Sequence, residues 1–372
     1  MLNANIAFAA VCALNFYQVC WILGETPGLA FPAPPAIGQS LRSHPKNKKL
    51  RPPEILQYRQ KIVYLTNLLS RNPKDIKALA QRANAYLKLQ DLKHASLDCE
   101  KALALDPKCK DAAEVAYGLV DAYNGDMQEE NALHFFNLVI PAYPDEPRLF
   151  VERGQLLHGM GRDKEALADQ NKAVQMAPNE ALPYYARAEV KCTMGNLRGA
   201  ADDFGISAKY NKTPIHSYIA QAKCYDELKD YKAAVSTLSK VLPLPNLYLP
   251  DLLQARLHRA RDYIKLADYE NALKDLQVII DAPISQTMKF ENNGQLSEKA
   301  LALQTRVELY ITMKRNDMAI KDYGKLIALD QEWGQITPKW YQERAKLYRQ
   351  SGLTDLAVRD ETLARNLLQK TP

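Results

Sequence analysis

Residues 76–109 read IKALAQRANAYLKLQDLKHASLDCEKALALDPKC, and this stretch decides the fold. Ala83, Tyr86, Ala95, Ala102 and Leu103 recur at the three- and four-residue spacing of a helical face, with a break near Gln90 and Asp91. Pro107 cannot continue a helix, because it has no amide hydrogen and its ring clashes with the preceding turn. The stretch therefore predicts two short amphipathic helices, a tight turn between them and a proline stop.

The same register returns seven more times. Repeats begin at Ile76, Ala113, Pro147, Ala181, Ile215, Leu253, Ala300 and Pro338, which gives 76–109, 113–146, 147–180, 181–214, 215–248, 253–286, 300–333 and 338–371. The twentieth residue is alanine in all eight: Ala95, Ala132, Ala166, Ala200, Ala234, Ala272, Ala319 and Ala357. Paired helices approach closely only where the facing side chain is small, so this position is read as the contact between the two helices of a pair. The eighth residue is correspondingly small in most repeats, as at Ala83, Gly154, Ala188, Ala222, Ala260 and Ala345. Tyr86, Tyr123, Tyr225, Tyr263, Tyr310 and Tyr348 follow three residues later on the same stripe, where a packing role is expected of them.

A polar pattern runs beside the apolar one. Arg82/Asp98, Arg153/Asp169, Arg187/Asp203, Arg259/Asp275, Arg306/Asp322 and Arg344/Asp360 are each sixteen residues apart. In an antiparallel helix pair, residues equally distant from the turn come side by side, so these are expected to be six structural ion pairs. Where the arginine is replaced, by Leu119 and Gln221, the aspartate is replaced too, by Phe135 and Thr237.

This unit resembles the tetratricopeptide repeat, a helix-turn-helix of 34 residues. The resemblance implies an all-α fold, a right-handed α-solenoid of stacked helix pairs. The second, fifth, ninth and twelfth residues of each first helix lie away from its core stripe. In the family such positions line a groove that binds extended or helical peptides. Here the first half of that groove would present Lys77, Asn84, Leu87, Tyr117, Asp121, Asn124, Arg148, Gln155, His158, Tyr185 and Glu189. The far half would present Lys223, Asp226, Arg261, Lys339, Lys346 and Arg349. Tyr117 and Tyr185 are the candidate anchors, since rigid aromatics supply contact area at low entropic cost. Some family members clamp a terminal carboxylate between repeats, but Ala80, Gly118 and Glu152 depart from that pattern.

The chain before the repeats differs in character. Ile6 to Leu23, IAFAAVCALNFYQVCWIL, is apolar except for Asn15 and Gln18. As a helix it would be about 27 Å long, close to the hydrocarbon thickness of a bilayer. Residues 1–26 are therefore read either as a retained membrane segment or as a cleaved signal peptide, with the small residues Gly28 and Ala30 of Gly28-Leu29-Ala30 before a cleavage point at Phe31. Residues 27–53 hold seven prolines and read as an extended basic tether, and 54–75 as a capping helix with Ile55, Tyr58, Ile62, Leu65 and Leu69 on one stripe. If the first segment stays in the membrane, the basic stretch places the repeats on the cytoplasmic side; if it is cleaved, they are exported.

The net charge of the 372-residue chain is +6. It resides between Arg42 and Lys61, where Arg42, Lys46, Lys48, Lys49, Arg51, Arg59 and Lys61 face the single acid Glu54. The remainder balances to zero, so no basic face for nucleic acid is implied. No CxxC pair, HExxH, P-loop or GxSxG run occurs, and Gly159-Met160-Gly161 falls where the third repeat turns. Neither metal, cofactor, small-molecule substrate nor catalysis is expected. The insert 287–299, with its Asn293-Gly294 turn signal, reads as a loop on one face. The functional expectation is a non-catalytic scaffold that takes a protein or peptide partner in the repeat groove near a membrane. The alternative is a structural subunit of an envelope or secretion assembly.

Overall fold

The structure, a computed structural model, describes residues 50–244, 248–282, 298–332 and 337–370. The apolar run Ile6 to Leu23, nearly all of the tether and most of the 287–299 insert lie outside the described residues. The described residues form seventeen α-helices and a single 3-10 turn, and no strand occurs among them. The fold is an all-α solenoid of helix pairs. None of the described helices is long and apolar enough to cross a membrane.

The chain divides into two bodies, Met1–Asn196 and Leu197–Pro372. The N-terminal body contains α1 (Pro52–Arg71), α2 (Ile76–Lys88), α3 (Leu92–Leu105), α4 (Lys110–Gly125), α5 (Glu129–Val139), α6 (Pro147–Gly159), α7 (Asp163–Met176) and α8 (Ala181–Thr193). The C-terminal body contains α9 (Leu197–Tyr210), α10 (Ile215–Glu227), α11 (Tyr231–Val241), α12 (Leu249–Lys265), α13 (Tyr269–Asp281), α14 (Glu298–Thr312), α15 (Asn316–Glu332), α16 (Pro338–Gln350) and α17 (Thr354–Lys370).

Local chemistry sets the helix ends. The α1 helix starts at Pro52 rather than at Glu54, because a proline's missing amide hydrogen is harmless in a first turn. Glu54 closes that end by accepting from the Arg51 backbone N–H at 2.7 Å. Asp75, Asp91, Asp230 and Asp268 cap α2, α3, α11 and α13 by accepting from the backbone N–H three residues on. Second helices begin at the seventeenth residue of every repeat, from Leu92 to Thr354. Three first helices, α4, α12 and α14, begin ahead of the repeat register. Each follows an insertion, so part of the inserted chain lengthens the helix instead of looping out.

The turn between the helices of a pair is the same throughout. The fifteenth residue has a left-handed backbone in all eight repeats, as glycine at Gly161, Gly195 and Gly352 and as an L-residue at Gln90, Met127, Lys229, Ala267 and Lys314. The next residue's N–H then reaches back to the carbonyl five positions earlier, as in Asp91 to Tyr86 at 3.0 Å and Arg162 to Leu157 at 2.8 Å. This closure satisfies carbonyls that the helix end would leave unpaired.

All eight alanines at the twentieth position are 0% exposed. In the N-terminal body α2 packs on α3, α4 on α5 and α6 on α7, and the first helices α2 and α4 also touch. One core cluster runs from Leu65 to Val190; in the C-terminal body another runs from Leu253 to Ala364.

The arginines join these helices by a two-pronged grip. Arg82, Arg153, Arg259, Arg306 and Arg344 each donate Nε and Nη2 to the two oxygens of the aspartate sixteen residues on, at 2.6–2.9 Å. Those aspartates, Asp98, Asp169, Asp275, Asp322 and Asp360, are buried. Arg187 and Asp203 lie in different bodies. A further contact has no counterpart in the sequence reading. The third nitrogen, Nη1, donates to an acceptor on the helix that precedes the pair, Thr66 of the capping helix α1 for Arg82 and, on the second helix of the preceding repeat, Asn137 for Arg153, Asn171 for Arg187, Ser239 for Arg259 and Gln277 for Arg306. One planar cation therefore ties three helices.

Where the arginine is missing, the gap is filled differently. Leu119 and Phe135 are 0% and 2% exposed and substitute apolar contact for the ion pair. Gln221 donates Nε2 to the Ala201 carbonyl at 3.0 Å, and Gly205 leaves room for it, since a Cβ there would lie 2.7 Å from the amide nitrogen.

Candidate functional site

Alanine, tyrosine and arginine–aspartate positions are occupied in holding helices together. What remains is the other side of each first helix. In the N-terminal body this side is carried by α2, α4, α6 and α8. Lys77, Asn84, Asp121 and Asn124 are exposed on it, and Arg148, Gln155, His158, Tyr185 and Glu189 are half-buried.

Two of the expected residues are not open. Leu87 and Tyr117 are 5% and 8% exposed and belong to the core cluster. Nine of the sixteen residues of α4 are buried, so this helix is enclosed on more sides than a simple two-faced helix. Tyr117 meets Phe136 edge-on with ring centroids 6.5 Å apart. Its hydroxyl donates to Glu152 Oε2 at 2.6 Å. Burial, reinforced by that carboxylate, raises the phenol far above its ordinary range. Tyr117 is thus a fixed part of the core, and of the two tyrosines only Tyr185 is half-buried.

Glu152 also accepts from Arg148 Nε at 2.6 Å, so Tyr117, Glu152 and Arg148 form one polar cluster joining α4 to α6. The sequence reading missed Glu152 as a functional neighbour; it marked the position only as a departure from a clamp pattern. Further along, His158 Nδ1 lies 2.6 Å from Asp163 Oδ1, and Thr193 donates its hydroxyl to Asp163 Oδ2 at 3.4 Å. Burial, with a smaller contribution from Cys192, pushes the Glu189 carboxyl up to about 8. Near neutral pH this carboxyl is a hydrogen-bond donor more than an anion.

The corresponding side of the C-terminal body is organised around charge. Lys223, Asp226 and Arg261 are exposed on α10 and α12. Asp262 is buried, and burial, followed by the negative charge of Asp226 and a hydrogen bond to it, pushes its carboxyl up to about 8. Burial and the neighbouring cations Lys223 and Arg261 push His258 down to about 3, which keeps its ring neutral. Lys339, Lys346 and Arg349 are exposed on α16, with Lys346 paired to Glu343 and Arg349 to Glu361. Among the described residues no group of three His, Cys, Asp or Glu side chains converges as a metal site would require.

The family model of the tetratricopeptide repeat matches residues 76–109, 147–180, 215–244 and 300–332. Human DnaJ homolog subfamily C member 3 is similar at 24% identity over 267 residues, covering 66% of this chain and 47% of that protein. Human tetratricopeptide repeat protein 13 is similar at 34% identity over 101 residues, covering 26% of this chain and 11% of that protein. The chain thus spans about half the length of the first of these relatives and less of the second. Among solved structures, YrrB, described as a TPR protein with an unusual peptide-binding site, aligns at 19% identity and a TM-score of 0.39 over 57% of this chain and 97% of its own.

Proposed function

Since the chain is a tetratricopeptide-repeat protein, we propose that it is a non-catalytic scaffold whose N-terminal body takes an extended peptide or protein segment against α2, α4, α6 and α8. Repeats of this family support protein–protein interaction in general; the particular surface is our reading. The observation that supports it most is the preorganised Tyr117–Glu152–Arg148 cluster, flanked by the half-buried Gln155, Tyr185 and Glu189. A surface already held in place loses little entropy when a partner arrives.

A peptide library displayed on phage and selected against the full chain tests this reading. Sequences enriched on the wild type are expected to lose binding to Arg148→Ala and to Tyr185→Ala. Equal enrichment on all three proteins would discard the surface.

We further place the array beside a membrane through Ile6 to Leu23, with the repeats on the side of the basic stretch Arg42 to Arg51. The length of the apolar run and the charge that follows it support this placement. Fractionation combined with N-terminal sequencing of the mature protein tests it, and a mature terminus after Ala30 would replace it with export.

A further inference from the structure

The face of α1 turned away from α2 is partly apolar. Leu65 and Leu69 are buried on one side of this helix, whereas Leu56, Val63 and Tyr64 are 57, 62 and 67% exposed on the other. Leu56, Gln60, Val63 and Asn67 follow the spacing of a single stripe, and Tyr64 and the exposed Arg59 flank it. An amphipathic helix that covers the end of a repeat array is expected to carry a polar outer face. This one carries three exposed apolar or aromatic side chains, Leu56, Val63 and Tyr64, among the polar Gln60 and Asn67.

Two more observations bear on what covers it. The positive charge of the chain is concentrated at this end, between Arg42 and Lys61, and its only acid, Glu54, is paired with Arg51 at 3.0 Å. The apolar run ends at Leu23, so a linker of fewer than thirty residues separates it from α1. Read as the extended Pro-rich tether its sequence suggests, a linker of that length spans at most about 90 Å. A membrane that holds Ile6 to Leu23 therefore lies within reach of α1.

We propose that α1 lies on the surface of an anionic bilayer, with Leu56, Val63 and Tyr64 at the headgroup boundary and Arg59 and Lys61 against lipid phosphates. Tyr64 suits that depth, since its ring is apolar and its hydroxyl stays hydrated. Lys and Arg near an anionic leaflet are attracted over a Debye length, which adds selectivity for acidic lipids. On its inner side α1 is fastened by Leu65, Leu69 and the Arg82 Nη1 to Thr66 hydrogen bond. Docking would thereby orient the whole N-terminal body on the surface. The proposal rests on the membrane placement above and adds a second, separable contact to it.

The test places the photoreactive residue p-benzoylphenylalanine at position 64 of the full chain and mixes it with vesicles of phosphatidylcholine plus phosphatidylserine, or of phosphatidylcholine alone. Flotation reports the membrane placement, and the mass of the photoadduct reports what touches α1. A phospholipid adduct is expected on the anionic vesicles and not from the same probe at Val278, which is 46% exposed on α13. Replacing Arg59→Gln and Lys61→Gln is expected to lower the adduct yield about fivefold for each charge removed. A chain that floats but crosslinks to residues 6–23, to a second copy or to nothing overturns the proposal and leaves the placement standing. A chain that does not float overturns both.

Discussion

Arg153 and Asn137 belong to different repeats, yet the guanidinium that grips Asp169 also donates to the Asn137 amide oxygen at 2.8 Å. The pair fixes the preceding second helix, α5, to the helix pair α6–α7. Removing Asp169 leaves a half-buried cation with two of its three hydrogen bonds unmade. Asp169→Ala is expected to cost about 3 kcal/mol in urea unfolding, whereas the exposed Asp202→Ala stays within about 0.5 kcal/mol. Asn137→Ala, which removes one hydrogen bond, is expected to cost about 1 kcal/mol. Equal small shifts for Asp169 and Asp202 would show that the grip contributes nothing net.

Backbone strain at the repeat turn can be tested in both directions. Gly161 sits at φ +74° with nothing within 4 Å of where a Cβ would be, so Gly161→Ala adds strain and no clash. The expected cost is about 1–2 kcal/mol. Lys229, at φ 59° in the equivalent place, should tolerate Lys229→Gly with unchanged or higher stability. Thermal melts of the two variants decide this.

Gly154 takes the place of the small residue beneath the alanine contact, and Gln170 fills the space above it. A Cβ at Gly154 would run into the Gln170 amide and lie 3.3 Å from the Ala166 carbonyl. Gln170 is 0% exposed and donates Nε2 to the Val151 carbonyl at 3.0 Å, so it has little freedom to move. Gly154→Ala is expected to destabilise by about 1–3 kcal/mol, and Gln170→Ala in the same chain should recover part of that loss. Additive losses in the double variant would place the strain elsewhere.

Arg344 supplies the opposite case. At the place where other repeats offer Thr66, Asn137 or Ser239, α15 has Gly324, and a Cβ there would make ordinary contact with Arg344 Nη1 at 3.6 Å. Gly324→Ser replaces a mid-helix glycine and adds an acceptor. A gain of about 0.5 kcal/mol is expected from the helix alone, measured as a raised denaturation midpoint.

Acid–base linkage centres on Asp262. Its carboxyl titrates near 8 in the folded protein and near 4 when unfolded. Between those values the native state holds a proton that the unfolded chain has released. The stabilisation is complete below about pH 4 and is lost as pH rises through about 8, at up to about 1.4 kcal/mol per unit. Asp262→Asn keeps a hydrogen bond to Asp226 without the titration, so its melting temperature should fall less than the wild type's between pH 5 and 8. Glu189 contributes a slope of the same sign, which the comparison leaves in both proteins.

What could be read in the sequence was whatever recurs within a single repeat. Ala95 and its seven equivalents, the sixteen-residue arginine–aspartate spacing and the proline stops are all set by contacts between helices adjacent in the chain. The polar residues that receive Nη1 vary among threonine, asparagine, serine and glutamine and share only an acceptor, so no single letter marks them. Tyr117 and Glu152 are 35 residues apart in different repeats, and nothing local signals their contact. Helical spacing put Leu87 and Tyr117 off the core stripe, yet both are buried: Tyr117 meets Phe136 of its own repeat and Glu152 of the next.

Because each Nη1 contact crosses a repeat boundary, adjacent repeats lend stability to one another. Fraying that removes one repeat also takes an acceptor from the arginine of the next. Such loss is checked where no side chain of this kind reaches across the boundary. Leu119 in 113–146 is one such place and Arg344, which faces Gly324, is another, so partial unfolding should advance in blocks, with the stops written at residues that look like defects in the pattern.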